Sequence, residues 1–307
     1  MRPLVIGTRG SRLALAQARW AMERLRSACP GLEVRAEIIR TRGDRVRDRP
    51  LAAIGEKGLF VKEIEHALRA GEIDAAVHSL KDLPSALAPE FTLAAVPERA
   101  SPADCLVAPA YGSLSALPEG AIVGTGSPRR KAQLLAMRPD LDVRDIRGNV
   151  DTRLEKVGAG QYQAAVLAAA GLERLGLRGV ISQIFAPAEI TPAVGQGALG
   201  IEARSDDEWA VGLLRRVNDP AAEAAATAER GFAEALGASC TTPVGALAVV
   251  TGKPELLHLT VALCDAAGTS VIRRELGGVA ERPRELGFEA AALIREAGGD
   301  ELLRPCR

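Results

Sequence analysis

The chain has 307 residues, of which 47% are hydrophobic and 25% are charged, a composition typical of a soluble globular protein with two or three domains. The 39 basic and 39 acidic residues cancel, so nonspecific nucleic-acid binding is not expected, and no apolar run of about 18 residues or more indicates a membrane span. Five cysteines without a CxxC pair and three scattered histidines argue against a disulfide framework and against a metal site.

The first predicted elements are a strand and a helix. Leu4 to Thr8 is predicted to form the strand, and Ser11 is the predicted cap of an amphipathic helix that ends near Cys29. The opening segment MRPLVIGTRGS enters this strand without the apolar core of a signal peptide, so we expect a cytoplasmic protein.

The segment 42–58 is polar, contains glycine and has no counterpart in the second half of the chain. We interpret it as a mobile loop that could cover a ligand site, with Arg42 and Lys57 near its ends as lid candidates. Its composition equally fits a disordered surface loop.

The octapeptide VHSLKDLP, residues 77–84, ends the next predicted strand, Ile73 to Val77. This strand is short, small and mostly apolar, as expected of a strand that is buried on both faces of a parallel sheet. Ligands of open α/β sheets bind beyond the carboxyl ends of such strands, which makes Asp82 a candidate catalytic carboxylate. For an isolated Lys-Asp pair, a solvated turn closed by Pro84 is the alternative interpretation.

A weak internal duplication relates the two halves. IGTRGSRLALAQ, from residue 6, is echoed by IVGTGSPRRKAQL, from residue 122, where Ser127 is the predicted helix cap and Pro128 the first helical residue. GEIDAAVHSL at 71–80 is echoed in the same way by GQYQAAVLAA at 160–169. We therefore expect two similar lobes around a cleft, each presenting helix N-termini that attract anions.

The chain is predicted to cross between the lobes twice, at 97–102 and 192–200, and GALGIEAR, residues 197–204, is predicted to return to the first lobe as a strand. The later elements predict a small α+β domain. They are an Ala-rich helix from Ala221 to Leu236, strands at 244–251, 256–264 and 269–275, and a helix near 283–297.

Two residue types suggest chemistry beyond Asp82. Cys240 lies on a loop of small residues between a helix and a strand, which favours an accessible thiol, although a lone cysteine is usually a core residue. Arginine accounts for 33 of the 39 basic residues. Guanidinium groups at strand ends and helix starts suit a ligand with several carboxylates, whereas a GC-rich genome explains most of the other arginines.

A series of distinctive segments runs along the chain in this order: GTRGSRLALAQ, TRGD, GEKGLFVKEIE, DAAVHSLKDLP, GTGSPRRKAQL, IRGNVDTRL, AGLERLGL, PAVGQGALGIE and ERGFAEALGASCTTPVG. In sequence and in order these segments resemble those of the porphobilinogen deaminase family, essentially from end to end. The resemblance implies a transferase of porphyrin and heme biosynthesis. Such an enzyme joins four porphobilinogen molecules head to tail, releases ammonia at each condensation and frees hydroxymethylbilane by hydrolysis.

The resemblance also implies roles for individual residues. Asp82 matches the catalytic Asp of the family, and Cys240 matches the cysteine that holds a dipyrromethane cofactor through a thioether. The implied partners are porphobilinogen and polypyrrole intermediates, without nucleic acid, membrane or metal, and the resemblance favours a monomer. The matching cofactor- and substrate-binding positions are Arg9, Ser11, Lys81, Ser127, Arg129, Arg130, Arg147, Arg153, Arg174 and Gln196.

The expected fold is α/β, with two similar periplasmic-binding-protein-like lobes of mixed sheets and flanking helices around a cleft, plus a small C-terminal α+β domain. Ala238 departs from the family pattern, which has Gly before the Ser239-Cys240 pair, so the backbone conformation of this loop needs testing. The expected domains are domain 1 at 1–97 and 198–216, domain 2 at 98–197, and domain 3 at 217–307.

Two other functions are alternatives. A non-catalytic carboxylate-binding protein of the periplasmic type fits two lobes with anion-binding helix starts, but the missing signal peptide and the Cys240 motif speak against it. A Schiff base between Lys81 and pyridoxal phosphate has only the strand-end position of this lysine in its support.

Overall fold

The computed structural model describes residues 2–41, 61–239, 241–252 and 256–303. In chain order the described strands and helices are β1 (Leu4–Arg9), α1 (Arg12–Ala28), β2 (Val34–Ile39), α2 (Lys62–Arg69), β3 (Ala75–Ser79), β4 (Phe91–Ala95), β5 (Asp104–Val107), β6 (Ile122–Gly124), α3 (Pro128–Met137), β7 (Asp142–Arg144), α4 (Val150–Gly158), β8 (Ala164–Ala168), α5 (Ala169–Arg174), β9 (Gln183–Ile184), β10 (Leu199–Arg204), α6 (Glu208–Leu214), α7 (Pro220–Ala235), β11 (Val244–Thr251), β12 (Leu256–Cys264), β13 (Val271–Val279), α8 (Pro283–Glu296) and α9 (Gly299–Leu303).

The chain divides into two compact units. Unit 1 comprises Met1–Ala100 and Ala198–Glu223, and unit 2 comprises Ser101–Gly197 and Ala224–Arg307. Among the described helices, none has both the length and the apolar character needed to span a bilayer.

Two five-stranded sheets share one topology. The order is β2-β1-β3-β10-β4 in unit 1 and β7-β6-β8-β5-β9 in unit 2. In each sheet the first three strands run parallel, and the fourth, β10 or β5, is antiparallel to both of its neighbours. The expected mixed α/β lobes are confirmed, and β10 joins the first sheet as predicted.

The third sheet belongs to unit 2 and is an antiparallel meander of β11, β12 and β13. Its buried face packs on α7 and α8. The two helices approach closely because Gly287 lacks a side chain, and a Cβ there would overlap the carbonyl oxygen of Ala228. The predicted C-terminal α+β arrangement is confirmed.

Local signals located the helix starts well. The Ser11 side chain accepts a hydrogen bond from the amide of Ala14 at 3.2 Å, and Ser127 accepts one from the amide of Arg130 at 3.4 Å. Pro128 is the first residue of α3, as predicted.

The predicted strand Ile73 to Val77 lies two residues too early. Asp74 is buried ahead of β3, where its carboxylate accepts hydrogen bonds from Arg2 and from the amide of Val5. The prediction of parallel neighbours is half correct, because β3 is parallel to β1 and antiparallel to β10. The strand ends at Ser79, which brings Asp82 to within three residues of the sheet.

Candidate active site

Asp82 lies in a short 3₁₀ turn, Leu80–Asp82, immediately after β3. The amide of Leu80 donates to the carbonyl of Ala198 at 3.0 Å, so hydrogen bonding to the sheet region continues up to the turn. Leu80 and Leu83 are buried, whereas Lys81 and Asp82 between them are exposed. The two leucines anchor the turn and leave both charged side chains at the protein surface.

Gly200 in β10 makes room for this anchor. A Cβ at this position would lie 3.0 Å from Cδ1 of Leu80 and 3.2 Å from Cδ1 of Leu83. The glycine is therefore a packing requirement of the turn that carries Asp82, rather than a conformational one.

Arg9 is the last residue of β1, the parallel neighbour of β3, and Ser11 follows two residues later. Parallel strands end at the same edge of a sheet, so the topology brings these residues and the Lys81-Asp82 pair to one edge of unit 1. Ser11 already caps α1, and Arg9 is partly buried.

In unit 2 the structure brings Arg129, Arg130 and Gln196 into one buried network around Asp104. Nη1 of Arg129 lies 2.7 Å from Oδ2 of Asp104 and also donates to the carbonyl of Thr191 at 2.6 Å. Nε of Arg130 donates to Oδ1 of Asp104 at 2.7 Å, and its Nη2 donates to the side-chain oxygen of Gln196 at 3.2 Å. Nε2 of Gln196 donates to Asp104 at 2.9 Å.

This cluster is ionic and carries an excess of positive charge. Burial raises the pKa of Asp104, but the attraction of Arg129 and Arg130 outweighs burial and holds that pKa well below its usual range. Burial lowers the pKa of Arg129 despite its partner. Nε of Arg129 is buried and has no hydrogen-bond partner among the described residues.

The other predicted arginines occupy two further places in unit 2. Nε of Arg153 donates to the carbonyl of Gly148 at 2.9 Å. The neighbouring Arg147 forms a 2.6 Å ion pair with Asp145. Arg174 donates to the carbonyl of Gly197 at 2.8 Å, and burial lowers its pKa to about 10. The guanidinium of Arg174 thus lies beside the residue that follows Gln196.

Cys240 and both lid candidates, Arg42 and Lys57, lie outside the described residues. The chain leading to Cys240 is described. Gly237, two residues after the last residue of α7, has a φ of 64°, whereas Ala238 does not have a positive φ. Among the described residues of this loop the left-handed one is Gly237, so the alanine at 238 causes no conflict with the backbone.

Asp104 was not predicted from the sequence. It begins the apolar strand DCLV, and a carboxylate at the start of a buried strand is the local signal that could have indicated it. Glu229 was missed as well, although it is fully buried and its two oxygens accept from the amides of Gly195 at 2.7 Å and Ala248 at 2.8 Å. It ties the loop of Gln196 to α7 and β11.

These features define a mixed α/β protein with an exposed carboxylate at one strand end, guanidinium groups at other strand and helix ends, and an added cysteine-loop domain. Family models match residues 4–211, as "Porphobilinogen deaminase, dipyromethane cofactor binding domain", and residues 224–296, as "Porphobilinogen deaminase, C-terminal domain". The chain belongs to the porphobilinogen deaminase family.

Curated relatives agree over the whole length. The porphobilinogen deaminase of Roseiflexus castenholzii is 53% identical over 300 residues, covering 98% of both chains. That of Thermus thermophilus is 48% identical over 307 residues, covering 100% of both.

Solved structures give more distant likenesses. A lipoprotein of the YaeC family from Enterococcus faecalis has a TM-score of 0.43 at 14% identity, covering 71% of this chain and 91% of that one. A Salmonella typhimurium periplasmic binding protein with high arginine specificity has a TM-score of 0.38 at 13% identity, covering 73% and 94%. At these TM-scores neither likeness carries an argument about ligand or activity.

Proposed function

We propose that this chain is a hydroxymethylbilane synthase, a transferase that condenses four porphobilinogen molecules with loss of ammonia and releases the linear tetrapyrrole by hydrolysis. The observation that carries the proposal is the exposed Asp82 in the turn after β3, in a chain that matches both porphobilinogen deaminase models. The family match and its relatives support the reaction, and the geometry of the turn supports Asp82 as its catalytic carboxylate.

Asp82 has a physical role in this reaction. Loss of ammonia from porphobilinogen leaves an electron-poor, positively charged pyrrole, and a fixed carboxylate beside that group stabilises the charge as it develops. The same carboxylate can accept the proton that each condensation releases. Lys81, its exposed neighbour, supplies a compensating positive charge and a contact for a substrate carboxylate.

The donor set fits a dipyrromethane cofactor, which the family's first domain binds. Its acetate and propionate groups require cationic and N–H partners, and the described residues of the predicted set offer guanidinium groups, capped helix starts and a buried Arg129 Nε that lacks an acceptor. When bound through a thioether to Cys240, the cofactor supplies the pyrrole end to which the first substrate is joined. In this proposal Arg9, Ser11, Ser127, Arg147, Arg153 and Arg174 orient its carboxylates and those of the growing chain.

Arg129, Arg130 and Gln196 contribute differently within the same proposal. Their described hydrogen bonds are largely committed to Asp104 and to backbone carbonyls. They therefore act mainly through the excess positive charge of the cluster, and Nε of Arg129, which has no hydrogen-bond partner among the described residues, is a donor for a ligand carboxylate.

The direct test is intact-protein mass combined with an activity assay. The freshly purified protein is expected to carry the added mass of one dipyrromethane, and Cys240→Ser is expected to lack it. Asp82→Asn is expected to lower kcat by a factor of about 10² or more while keeping the fold. Glu72→Gln, an exposed carboxylate near the opposite end of β3, is the matched control and should leave kcat unchanged.

Two results would overturn the proposal. Wild-type bilane production by Asp82→Asn would remove the catalytic assignment, and an unmodified mass in fully active protein would exclude the cofactor at Cys240. The carboxylate-binding alternative predicts binding without bilane production.

The remaining expectations belong to the same proposal. They are a monomer in the cytoplasm that binds neither nucleic acid nor membrane, the three domains at 1–97 with 198–216, 98–197 and 217–307, and closure of the segment 42–58 between Arg42 and Lys57. Protease digestion of trapped intermediates should show protection at Arg45 to Arg49, and cleavage that stays unchanged would contradict closure.

A further inference from the structure

A buried polar pair lies under the turn that carries Asp82. Nε2 of His78, in β3, is 3.0 Å from Oε2 of Glu202, in β10. The two side chains are 5% and 0% exposed, so the hydrogen bond is shielded from water. His78 precedes the exposed Asp82 by only four residues.

Glu202 depends on this one bond. Its second oxygen, Oε1, has no hydrogen-bond partner among the described residues, although it is buried. Glu65, on α2, is a carboxyl neighbour of Glu202. Burial raises the pKa of Glu65, and the charge of Glu202 raises it further. A buried carboxylate with a carboxyl neighbour and a single donor is costly, and the sheet retains it nonetheless.

The second sheet, in unit 2, shows that the same strand topology forms without such a polar pair. In the first sheet His78 is opposite Gly200, and Glu202 is opposite Ala76. In the second sheet Leu167 is opposite Cys105, and Val107 is opposite Ala165. Leu167 and Val107 therefore occupy the positions of His78 and Glu202, and they pack together in an apolar cluster.

The polar pair and the functional turn occur together. After β3 comes the turn with Lys81 and Asp82, whereas β8 continues directly into α5, which begins at Ala169. The helix holds its backbone through repeated internal hydrogen bonds, whereas the three-residue turn is closed by the 3₁₀ bond from the amide of Leu83 to the carbonyl of Leu80 at 3.1 Å and otherwise depends on the residues around it. The turn therefore needs positioning from the strand that precedes it.

We propose that His78 and Glu202 are positioning residues for Asp82, joined across β3 and β10 so that the Lys81-Asp82 turn keeps one orientation relative to the substrate. This inference rests on the proposed catalytic role of Asp82. Neither side chain touches the reacting atoms. Their hydrogen bond limits the movement of the end of β3, and a misplacement of about 1 Å at a catalytic group can cost about 10² in rate.

The test replaces the polar pair of unit 1 by apolar residues, as in unit 2, in the double variant His78→Leu/Glu202→Leu. Replacing a buried polar pair by apolar residues is often neutral or stabilising, so the melting temperature is expected to stay the same or rise. In holoprotein, normalised to the fraction carrying the cofactor mass, kcat is expected to fall about tenfold or more, with KM changed less than about twofold.

Three single variants complete the experiment. His78→Gln places an amide N–H near the position of Nε2 and should therefore retain most of the wild-type kcat. Glu202→Gln keeps the shape but weakens the charge-assisted bond, so kcat should fall by a few-fold even if the double variant folds poorly. Val77→Ala, on the opposite face of the same strand, is the control, and it should lower stability without changing kcat.

Wild-type kcat in the folded double variant, or in Glu202→Gln where the double variant does not fold, would overturn the proposal. Loss of kcat in Val77→Ala in proportion to its stability would do so as well, since it would reduce the effect to general loosening of β3. Asp82→Asn is measured in parallel. If that variant alone is fully active, the catalytic assignment fails, and if it is inactive while the pair variants are not, only the positioning role fails.

Discussion

The two five-stranded sheets share one topology and differ in the environment of the carboxylate at one strand end. Unit 1 exposes Asp82 in the turn after β3, and unit 2 buries Asp104 at the start of β5 between two guanidinium groups. One carboxylate is free to meet a developing positive charge, and the other is neutralised by the protein itself. A shared backbone topology thus supports opposite electrostatic tasks, set by a few side chains at strand ends.

The largest effect is expected at the buried end of this comparison. Asp104→Asn removes the only anion in contact with both arginines in the described cluster, so two buried guanidinium groups lose their charge partner. We expect a loss of about 3 kcal/mol or more in the free energy of unfolding, measured by urea titration.

Asp142→Asn is the matched control for that experiment. Its ion pair with Arg144 is exposed, and its loss should cost less than about 1 kcal/mol. Equal losses in the two variants would show that the Asp104 cluster is no stronger than a surface pair.

Acid should sharpen the same contrast. The pKa of Asp104 is lower in the folded chain than its unfolded value of about 3.9, so the folded state binds fewer protons as pH falls past that value. The stabilisation by Asp104 is therefore complete above about pH 5 and is lost progressively below it. The difference in stability between wild type and Asp104→Asn should shrink from pH 5 to pH 3, and a constant difference would contradict the assignment.

A smaller effect is expected at Gly200. The register places Cys105 at the matching position of unit 2, so a side chain is present there in the second sheet. Gly200→Ala would put a Cβ 2.9 Å from Cδ1 of Leu93 and close to both leucines of the turn. These are flexible side-chain ends, so we expect a cost of about 1 kcal/mol, with kcat falling more than KM changes as the turn shifts. Cys105→Ala, which adds nothing, should leave kcat unchanged, and the same assay compares both.

The smallest effect concerns thiol reactivity. Burial raises the pKa of Cys105 to about 12 and that of Cys264 to about 11. At pH 8 the thiolate fraction of Cys105 is about 10⁻⁴, so iodoacetamide should label neither residue in folded protein, whereas urea should expose both. Peptide mass spectrometry reads the outcome, and rapid labelling of Cys105 would indicate that β5 opens.

Features with a local signal could be predicted from the sequence. Ser11 and Ser127 cap helices because hydroxyl and amide lie within three residues of each other along the chain. Contacts between residues that are distant in the chain could not be predicted. Asp104 meets Arg129 across 25 residues, and no periodicity announces that contact, so the motif that resembles a ligand site contains arginines that are largely occupied internally.

The strand before Asp82 shows a second reason. Ile73 and Asp74 look like the start of a strand, but Asp74 instead accepts hydrogen bonds from Arg2 and the amide of Val5. The pairing of His78 with Glu202 depends on β10, which arrives from 124 residues further along the chain. The two α/β lobes and the C-terminal α+β domain follow from pattern and motif, whereas the strand order and these cross-strand contacts require the structure.

The contacts of Glu229 fix the position of α7, and with it the point at which the following loop begins. Its carboxylate holds the amides of Gly195 and Ala248, and α7 runs on to Ala235, five residues before Cys240. From Glu229 to the helix end the rise is about 9 Å, and each added residue would rotate the following loop by about 100°. The length of this helical segment therefore sets both the distance and the direction in which the cysteine loop leaves the helix, relative to the Gln196 loop that Glu229 holds.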